Sequence, residues 1–241
     1  MKKPEADRSS VPKLNVPEFD RYADSYGTLH AASVRLSGEQ PDYFSEYKIR
    51  AMARVLRGSN IRTIVDFGAG IGASIPHVRS CFPNAALTCL DVSSESLSRA
   101  REVHGSAADY RVYDGGLIPV DPGSVDLVFA ACVFHHIPPE DYERTLKAIR
   151  SILKPNGHLF VFEHNPLNPL TVHAVNNCAF DENAILIGGG AMKNLLIEAG
   201  FNQLRREYCV FFPAKLAKLR FMECYLGWLP LGAQYFVWGR A

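Results

Sequence analysis

Asp66-Phe67-Gly68-Ala69-Gly70-Ile71-Gly72 sets a carboxylate two residues ahead of three alternating glycines. With every second side chain missing, the chain can turn sharply and a ligand can lie against bare backbone. The N–H groups of a following helix would point at it. Asp91 and Asp114 follow, each at the end of a short β-prone stretch. His135, His136 and His164 are imidazoles of the kind that can take a proton near neutral pH. Consecutive side chains point in different directions, so at most one of His135 and His136 is expected to face a substrate. Glu163 could orient His164 or bind an amine, and His173 and Asp181 are weaker candidates.

The elements that must position these groups alternate. Thr63 to Phe67 reads as a buried strand and Ile71 to Cys81 as a helix stopped by Pro83. Ala86 to Asp91 is a second strand, followed by a helix from Ser94 to Val103 with Ser93 as its N-cap. Tyr110 to Tyr113 and Val125 to Ala131 are the third and fourth strands. A helix over Pro139–Leu153 has proline in its first turn, and His158 to Phe162 is strand five. This pattern predicts an α/β fold with a doubly wound, Rossmann-like, mostly parallel sheet. In such a sheet a glycine turn after the first strand is the usual seat of a nucleoside-containing cofactor.

After residue 163 the alternation lapses. Residues 164–188 read as a loop covering the carboxyl edge of the sheet, and Gly190 to Ala199 as a helix. Arg205 to Phe212 and Gln234 to Trp238 complete seven strands. Ala214 to Leu226 reads as an amphipathic helix with a basic side at Lys215, Lys218 and Arg220. The link from there to the last strand is too short for a parallel crossover, which predicts an antiparallel strand at the sheet edge. Upstream, Phe19–Tyr26 and Tyr43–Leu56 read as helices that could close over the cofactor. The organisation expected is a loose tail over 1–17 and one domain over 18–241. Within it, 18–58 is helical, 59–163 is the cofactor-binding core and 164–241 is the substrate side.

Composition excludes more than it assigns. The 241 residues are 47% apolar and 21% charged, with a formal net charge of +1. Such a balance gives no global field toward nucleic acid or an anionic membrane. No apolar run approaches the ~18 residues of a membrane span, and no secretory signal is visible, so a cytoplasmic location is expected. The six cysteines include no C-x-x-C pair, which argues against a disulfide framework or a thiolate metal site. Cys81, Cys89 and Cys209 are expected to be buried. The histidines show no H-x-x-x-H spacing and adjacent histidines seldom share an ion, so no metal is expected.

Two families fit the glycine turn. Gly68, Gly70 and Ala73 satisfy the dinucleotide fingerprint, with Asp91 placed to hold a ribose. The same residues form Asp-x-Gly-x-Gly-x-Gly, which resembles motif I of the class I S-adenosylmethionine-dependent methyltransferases. Asp66 favours the second, because a carboxylate there would repel a pyrophosphate and suits a sulfonium and an ammonium. Leu90-Asp91-Val92-Ser93 resembles motif II, where the acid accepts the ribose hydroxyls. Tyr113-Asp114-Gly115-Gly116-Leu117-Ile118-Pro119 resembles the adenine-binding segment, although Gly116 stands where this branch often has an acid. Ser124-Val125-Asp126-Leu127-Val128 with Phe134-His135-His136-Ile137 resembles motif IV of the small-molecule branch.

Phe19-Asp20-x-x-Ala23-x-x-Tyr26 is similar to the N-terminal helix of quinone-type methyltransferases, whose tyrosine leans on the cofactor. Glu163-His164-Asn165-Pro166-Leu167-Asn168-Pro169-Leu170 and Phe180-Asp181-Glu182-Asn183 resemble a bacterial subgroup associated with sugar, polysaccharide or secondary-metabolite tailoring. The Asn-Pro-Pro-Tyr motif of nucleic-acid and glutamine N-methyltransferases is absent.

The resemblance implies S-adenosyl-L-methionine held by Asp66, Gly68, Ala69, Gly70, Asp91, Val92, Asp114, Gly115, Ala131 and Tyr26. It implies methyl transfer to oxygen or nitrogen of a small molecule, with His136 or His164 as the base. The alternatives are a nicotinamide-dependent oxidoreductase and a non-catalytic protein that binds the same cofactor.

Overall fold

A computed structural model describes residues 37–178 and 181–241. The proposed helix around Tyr26 lies outside them. The elements are α1 (Pro41–Val55), β1 (Thr63–Phe67), α2 (Ile75–Cys81), β2 (Ala86–Asp91), α3 (Ser94–His104), β3 (Asp109–Val112) and β4 (Val125–Ala131). They continue with α4 (Tyr142–Ile152), β5 (Leu153–His164), α5 (Pro169–Asn176), α6 (Gly189–Glu198), β6 (Asn202–Cys209), α7 (Glu223–Leu226) and β7 (Gln234–Arg240). One seven-stranded sheet runs in the order β3-β2-β1-β4-β5-β7-β6. The first five strands pair in parallel, while β7 is antiparallel to both β5 and β6.

Alternating side chains of the central strands feed two separate cores. Val65, Val128, Ala130, Leu159 and Val161 pack on one face with α4 and α6. Ile64, Leu127, Phe129, Phe160 and Phe162 pack on the other with α1, α2 and α3. Both faces are covered, as a parallel sheet requires. In α4 the buried residues Tyr142, Leu146, Ile149 and Ile152 recur at helical spacing and fill the first core. Among the described residues, no helix is long and apolar enough to cross a membrane.

Four expectations are corrected. The antiparallel strand is not at the edge: β7 lies between β5 and β6. Gln234 to Gly239 are all buried, while β6 exposes Arg205 and Arg206, and charged side chains suit an edge. Helix α2 begins at Ile75 rather than Ile71, because Pro76 is tolerated only in a first turn and Gly72 has φ +78°.

Ala214–Met222 is a 3-10 segment with Leu216 off helical geometry and no buried residue, so it forms no amphipathic α-helix. Its Arg220 is also not a free basic side chain, since it pairs with Glu39 and stacks 4.3 Å over the Tyr43 ring. Cys81 is only half-buried, whereas Cys89 and Cys209 are buried.

The 164–188 segment carries a helix, α5, started by Asn168 and Pro169. The Asn168 side chain accepts from the N–H groups of Leu170 and Thr171. Fully buried Asn165 ties this segment to the chain before β7. Its Nδ2 donates to the carbonyls of Pro230 (3.2 Å) and Gly232 (2.8 Å), and its Oδ1 accepts from Leu167 N–H at 3.1 Å. Replacing Asn165 with alanine leaves these groups without the partner, and stability falls by about 2 kcal/mol. A urea midpoint shift at unchanged m-value measures it. A change within about 0.5 kcal/mol, typical of ordinary surface substitutions, would show that this tie contributes nothing.

Candidate active site

The glycine turn leaves β1 and is stitched to the end of β2. Gly68 and Ala69 donate their N–H groups to the Leu90 carbonyl at 2.8 and 2.9 Å. Gly70 N–H donates to Asp91 Oδ2 at 2.7 Å, and Ser93 N–H to Asp91 Oδ1 at 2.9 Å. Asp91 is thereby held in one orientation at the carboxyl edge of the sheet. Gly68 has φ +79°, and a Cβ there would lie 2.4 Å from Val133 Cγ2. A Cβ at Gly70 would instead stand in open space, so that glycine leaves its backbone bare.

Asp66 shares the second face of the sheet with Ile64 and is almost fully buried. Its Oδ2 accepts from the Ser74 hydroxyl. Burial, with a smaller push from Asp91, raises its carboxyl from 3.8 to about 7, while Ser74 and Lys48 oppose the shift. Lys48, buried on α1, lines the same cavity.

Glu163, fully buried near the end of β5, organises the loop after β4. Its Oε1 accepts from the N–H groups of Val133 (3.0 Å) and Phe134 (2.7 Å), and its Oε2 lies 2.6 Å from His135 Nδ1. Burial would lift the Glu163 carboxyl, but His135 and these donors hold it below the usual range. Burial likewise opposes charge on His135, yet Glu163 and Asp181 raise its pKa to about 10.

His136, on the same 3-10 turn (Phe134–His136), goes the other way. Burial and the charge on His135 push it down to about 3. Nε2 of each histidine is 3.4 Å from Asp181 Oδ1, and the two rings stand 4.0 Å apart. Burial favours the neutral acid at Asp181, but the His135 side chain outweighs it and holds the carboxyl low.

One cavity of about 790 Å³ gathers these groups. It is lined by Asp66, Gly68, Ala69, Gly70, Asp91, Val92 and Ala131 on the side of the glycine turn, and by both His136 and His164. Helix α1 and α5 supply further wall through Phe44, Ile49, Thr171 and Val175. Asp114 and Gly115 do not line it. Asp114 is exposed and its Oδ1 accepts from Gly116 N–H, an Asx-type turn, while the neighbouring Tyr113 does reach the wall. Asp109, the lesser rival for that role, pairs with Arg111 at 2.6 Å. His173 is exposed on α5 and likewise contributes no wall.

Both adjacent histidines line the cavity, although at most one is expected to face a substrate. They sit in a 3-10 turn, where neighbours splay less than in a strand. Glu163 pairs with His135, rather than orienting His164. Sequence reasoning passed over Lys48, which looks like an ordinary helix-surface residue, and the thiol of Cys132. Cys132 has φ +61°, and although burial opposes ionisation, Lys48 and His164 bring its pKa down to about 7.

Residues 65–159 match the family model described as a methyltransferase domain. The malonyl-[acyl-carrier protein] O-methyltransferase of Geobacter sulfurreducens is 30% identical over 128 residues, 50% of this chain and 47% of that protein. An uncharacterised Synechococcus protein is 34% identical over 106 residues, 41% of this chain and 25% of that one. The chain thus spans less than half the length of these curated relatives.

Among solved structures, an S-adenosylmethionine-dependent methyltransferase of Thermotoga maritima superposes with TM-score 0.66 at 18% identity, covering 93% of this chain and 98% of that one. Phosphoethanolamine N-methyltransferase 2 of Haemonchus contortus, solved with S-adenosyl-L-methionine, gives TM-score 0.66 at 15% identity over 98% and 61% of the two chains. At these identities the likeness is one of fold.

The raised Asp66 pKa has a consequence for stability. The native state keeps the Asp66 proton up to about pH 7, whereas the unfolded chain loses it near 3.8. Between those values the native state binds more protons, so stability falls as pH rises and levels off above about 7. Each tenfold difference in proton affinity between the two states corresponds to about 1.4 kcal/mol. Asp66→Asn removes this slope. Urea unfolding of both proteins at several pH values checks it, and parallel pH profiles for the two would refute the assignment.

Proposed function

We propose that this chain, whose residues 65–159 match the methyltransferase-domain family model and whose sheet has the class I S-adenosylmethionine-dependent methyltransferase fold, methylates an oxygen or nitrogen of a small molecule. The observation that carries the reading is a single cavity holding both the glycine turn, flanked by Asp66 and Asp91, and a histidine cluster. S-adenosyl-L-methionine fits the first half. Bare backbone at Gly70 gives close approach, Asp91 is an anchored acceptor for ribose hydroxyls, and buried Asp66 and Lys48 offer polar groups to the amino-acid end. When bound there, the cofactor supplies an electrophilic methyl on a sulfonium.

The chain's own residues do the rest. Asp91, fixed by Gly70 and Ser93, holds the ribose, and Ala131 and Cys132 line the methionine arm at the end of β4. Tyr113 borders the adenine end, with Asp114 just beyond the wall. Transfer needs in-line alignment of the acceptor with the methyl, and a hydroxyl acceptor must also lose a proton. His136, held neutral, lines the acceptor side but takes a proton poorly. His164 is the base. Relatives include the carrier-protein O-methyltransferase and fungal polyketide synthases, which accords with a small organic acceptor such as a sugar, polysaccharide precursor or secondary metabolite.

Calorimetric titration with S-adenosylhomocysteine is expected to show one saturable site, with no comparable heat from NAD. Asp91→Ala weakens that binding about 10- to 100-fold, the scale of hydrogen bonds to a charged group. Radiolabelled S-adenosylmethionine incubated with fractionated metabolites then identifies the acceptor. With it in hand, His164→Asn lowers kcat about 100-fold at little change in KM. Absence of heat with both the methyl donor and its demethylated product would end the reading.

A further inference from the structure

His135, His136 and Asp181 form the cluster whose geometry the fold alone does not explain. Asp181 Oδ1 is buried and stands 3.4 Å from the Nε2 atoms of both histidines, yet no hydrogen bond reaches it. A simple buried ion pair would draw that oxygen onto one partner at hydrogen-bond distance. Here it is equidistant from two nitrogens. Ligands about 2.1 Å from a tetrahedral ion lie about 3.4 Å apart, so these two distances are those of two edges of such a site. One ligand atom from each of the three residues lies within 4.8 Å of the other two.

A second observation concerns the other ring nitrogen of His135. Its Nδ1 lies 2.6 Å from Glu163 Oε2, while Glu163 Oε1 is held by two backbone N–H groups. An ion that displaces the Nε2 proton of His135 leaves the other proton on Nδ1 against this buried carboxylate, an arrangement that recurs behind metal-ligating histidines. We propose that His135 Nε2, His136 Nε2 and Asp181 Oδ1 bind one divalent first-row transition ion, of the zinc type. Two imidazoles and a single carboxylate favour such an ion over magnesium or calcium, which take all-oxygen shells. This departs from the expectation drawn from sequence spacing, since Asp181 comes from a distant loop.

All three residues line the cavity, so the fourth position faces the acceptor. An acceptor hydroxyl seated there becomes more acidic. Its proton passes to His164, its oxygen bonds to the methyl carbon, and the carbon–sulfur electron pair stays on sulfur as a neutral thioether. This catalytic role rests on the methyl-transfer reading, with His136 facing the acceptor through the ion. Ion binding itself does not depend on that reading.

The test uses the full chain, stripped with chelator and titrated with zinc chloride by calorimetry and with cobalt chloride by visible absorption. The expected result is one zinc per chain and the intense bands of tetrahedral cobalt. Asp181→Asn and His136→Gln, each shown folded by circular dichroism, weaken zinc at least tenfold and remove the bands. His173→Gln changes neither. Either folded variant decides the matter alone. Absence of saturable zinc binding, or unchanged binding in a folded variant, overturns the site. Binding of S-adenosylhomocysteine without zinc would overturn the ion and leave methyl transfer standing. Zinc without S-adenosylhomocysteine would uphold the ion and remove the catalytic role given to it.

Discussion

A fully buried carboxylate, Glu163, holds the loop that follows β4, and the histidine side of the cavity depends on it. Two backbone N–H groups and an imidazole converge on its oxygens. An isolated carboxylate so deep would be very costly, and these donors are what make it tenable. They also fix the direction in which the histidine turn leaves the sheet. Without that fixture His135 and His136 would hang on an untethered strand end, and their approach to Asp181 would have no reason to persist.

The same device recurs. Asp91 receives Gly70 and Ser93 N–H groups across the glycine turn. Asp126, at the opposite end of the sheet, takes the N–H groups of Arg62 and Thr63 at 2.9 Å and the Lys154 ammonium at 2.7 Å. Glu223 takes those of Phe211 and Phe212. Each clamp satisfies backbone donors that a sheet leaves orphaned where its strands end. Three of the four, at Asp91, Glu163 and Glu223, stand at the edge where the cavity opens, and only the Asp126 clamp is at the other end. The cavity end of the molecule is therefore built from charged hydrogen bonds laid over an apolar sheet, and the apolar faces carry the folding energy.

How much of this was legible in the sequence follows from what is local. The glycine turn, the strand before it and Asp91 lie within about thirty residues, and their spacing alone places them together. The limits of β2 and β4 emerge as read because each is a short apolar run bounded by turn residues. The position of β7 was open to reading as well, since an unbroken apolar run belongs inside a sheet and β6 is charged. What local pattern cannot carry is convergence from afar. Asp181 reaches the histidines from a loop without periodicity, and Lys48 arrives on a helix whose polar residues resemble a solvated face. Asp114 shows the converse, because Asp-Gly is equally a turn sequence, and here its side chain closes the turn.

The antiparallel course of β7 also decides where residue 241 lies. Gln234 pairs with His164 beside the cavity, while Arg240 pairs with His158 at the far end of β5, and Ala241 N–H donates to the Gly157 carbonyl. Ala241 therefore lies at the end of the sheet opposite the cavity. Anything joined after it, whether an affinity handle, a surface linker or a neighbouring catalytic module, hangs away from the entrance and leaves passage of small molecules unobstructed.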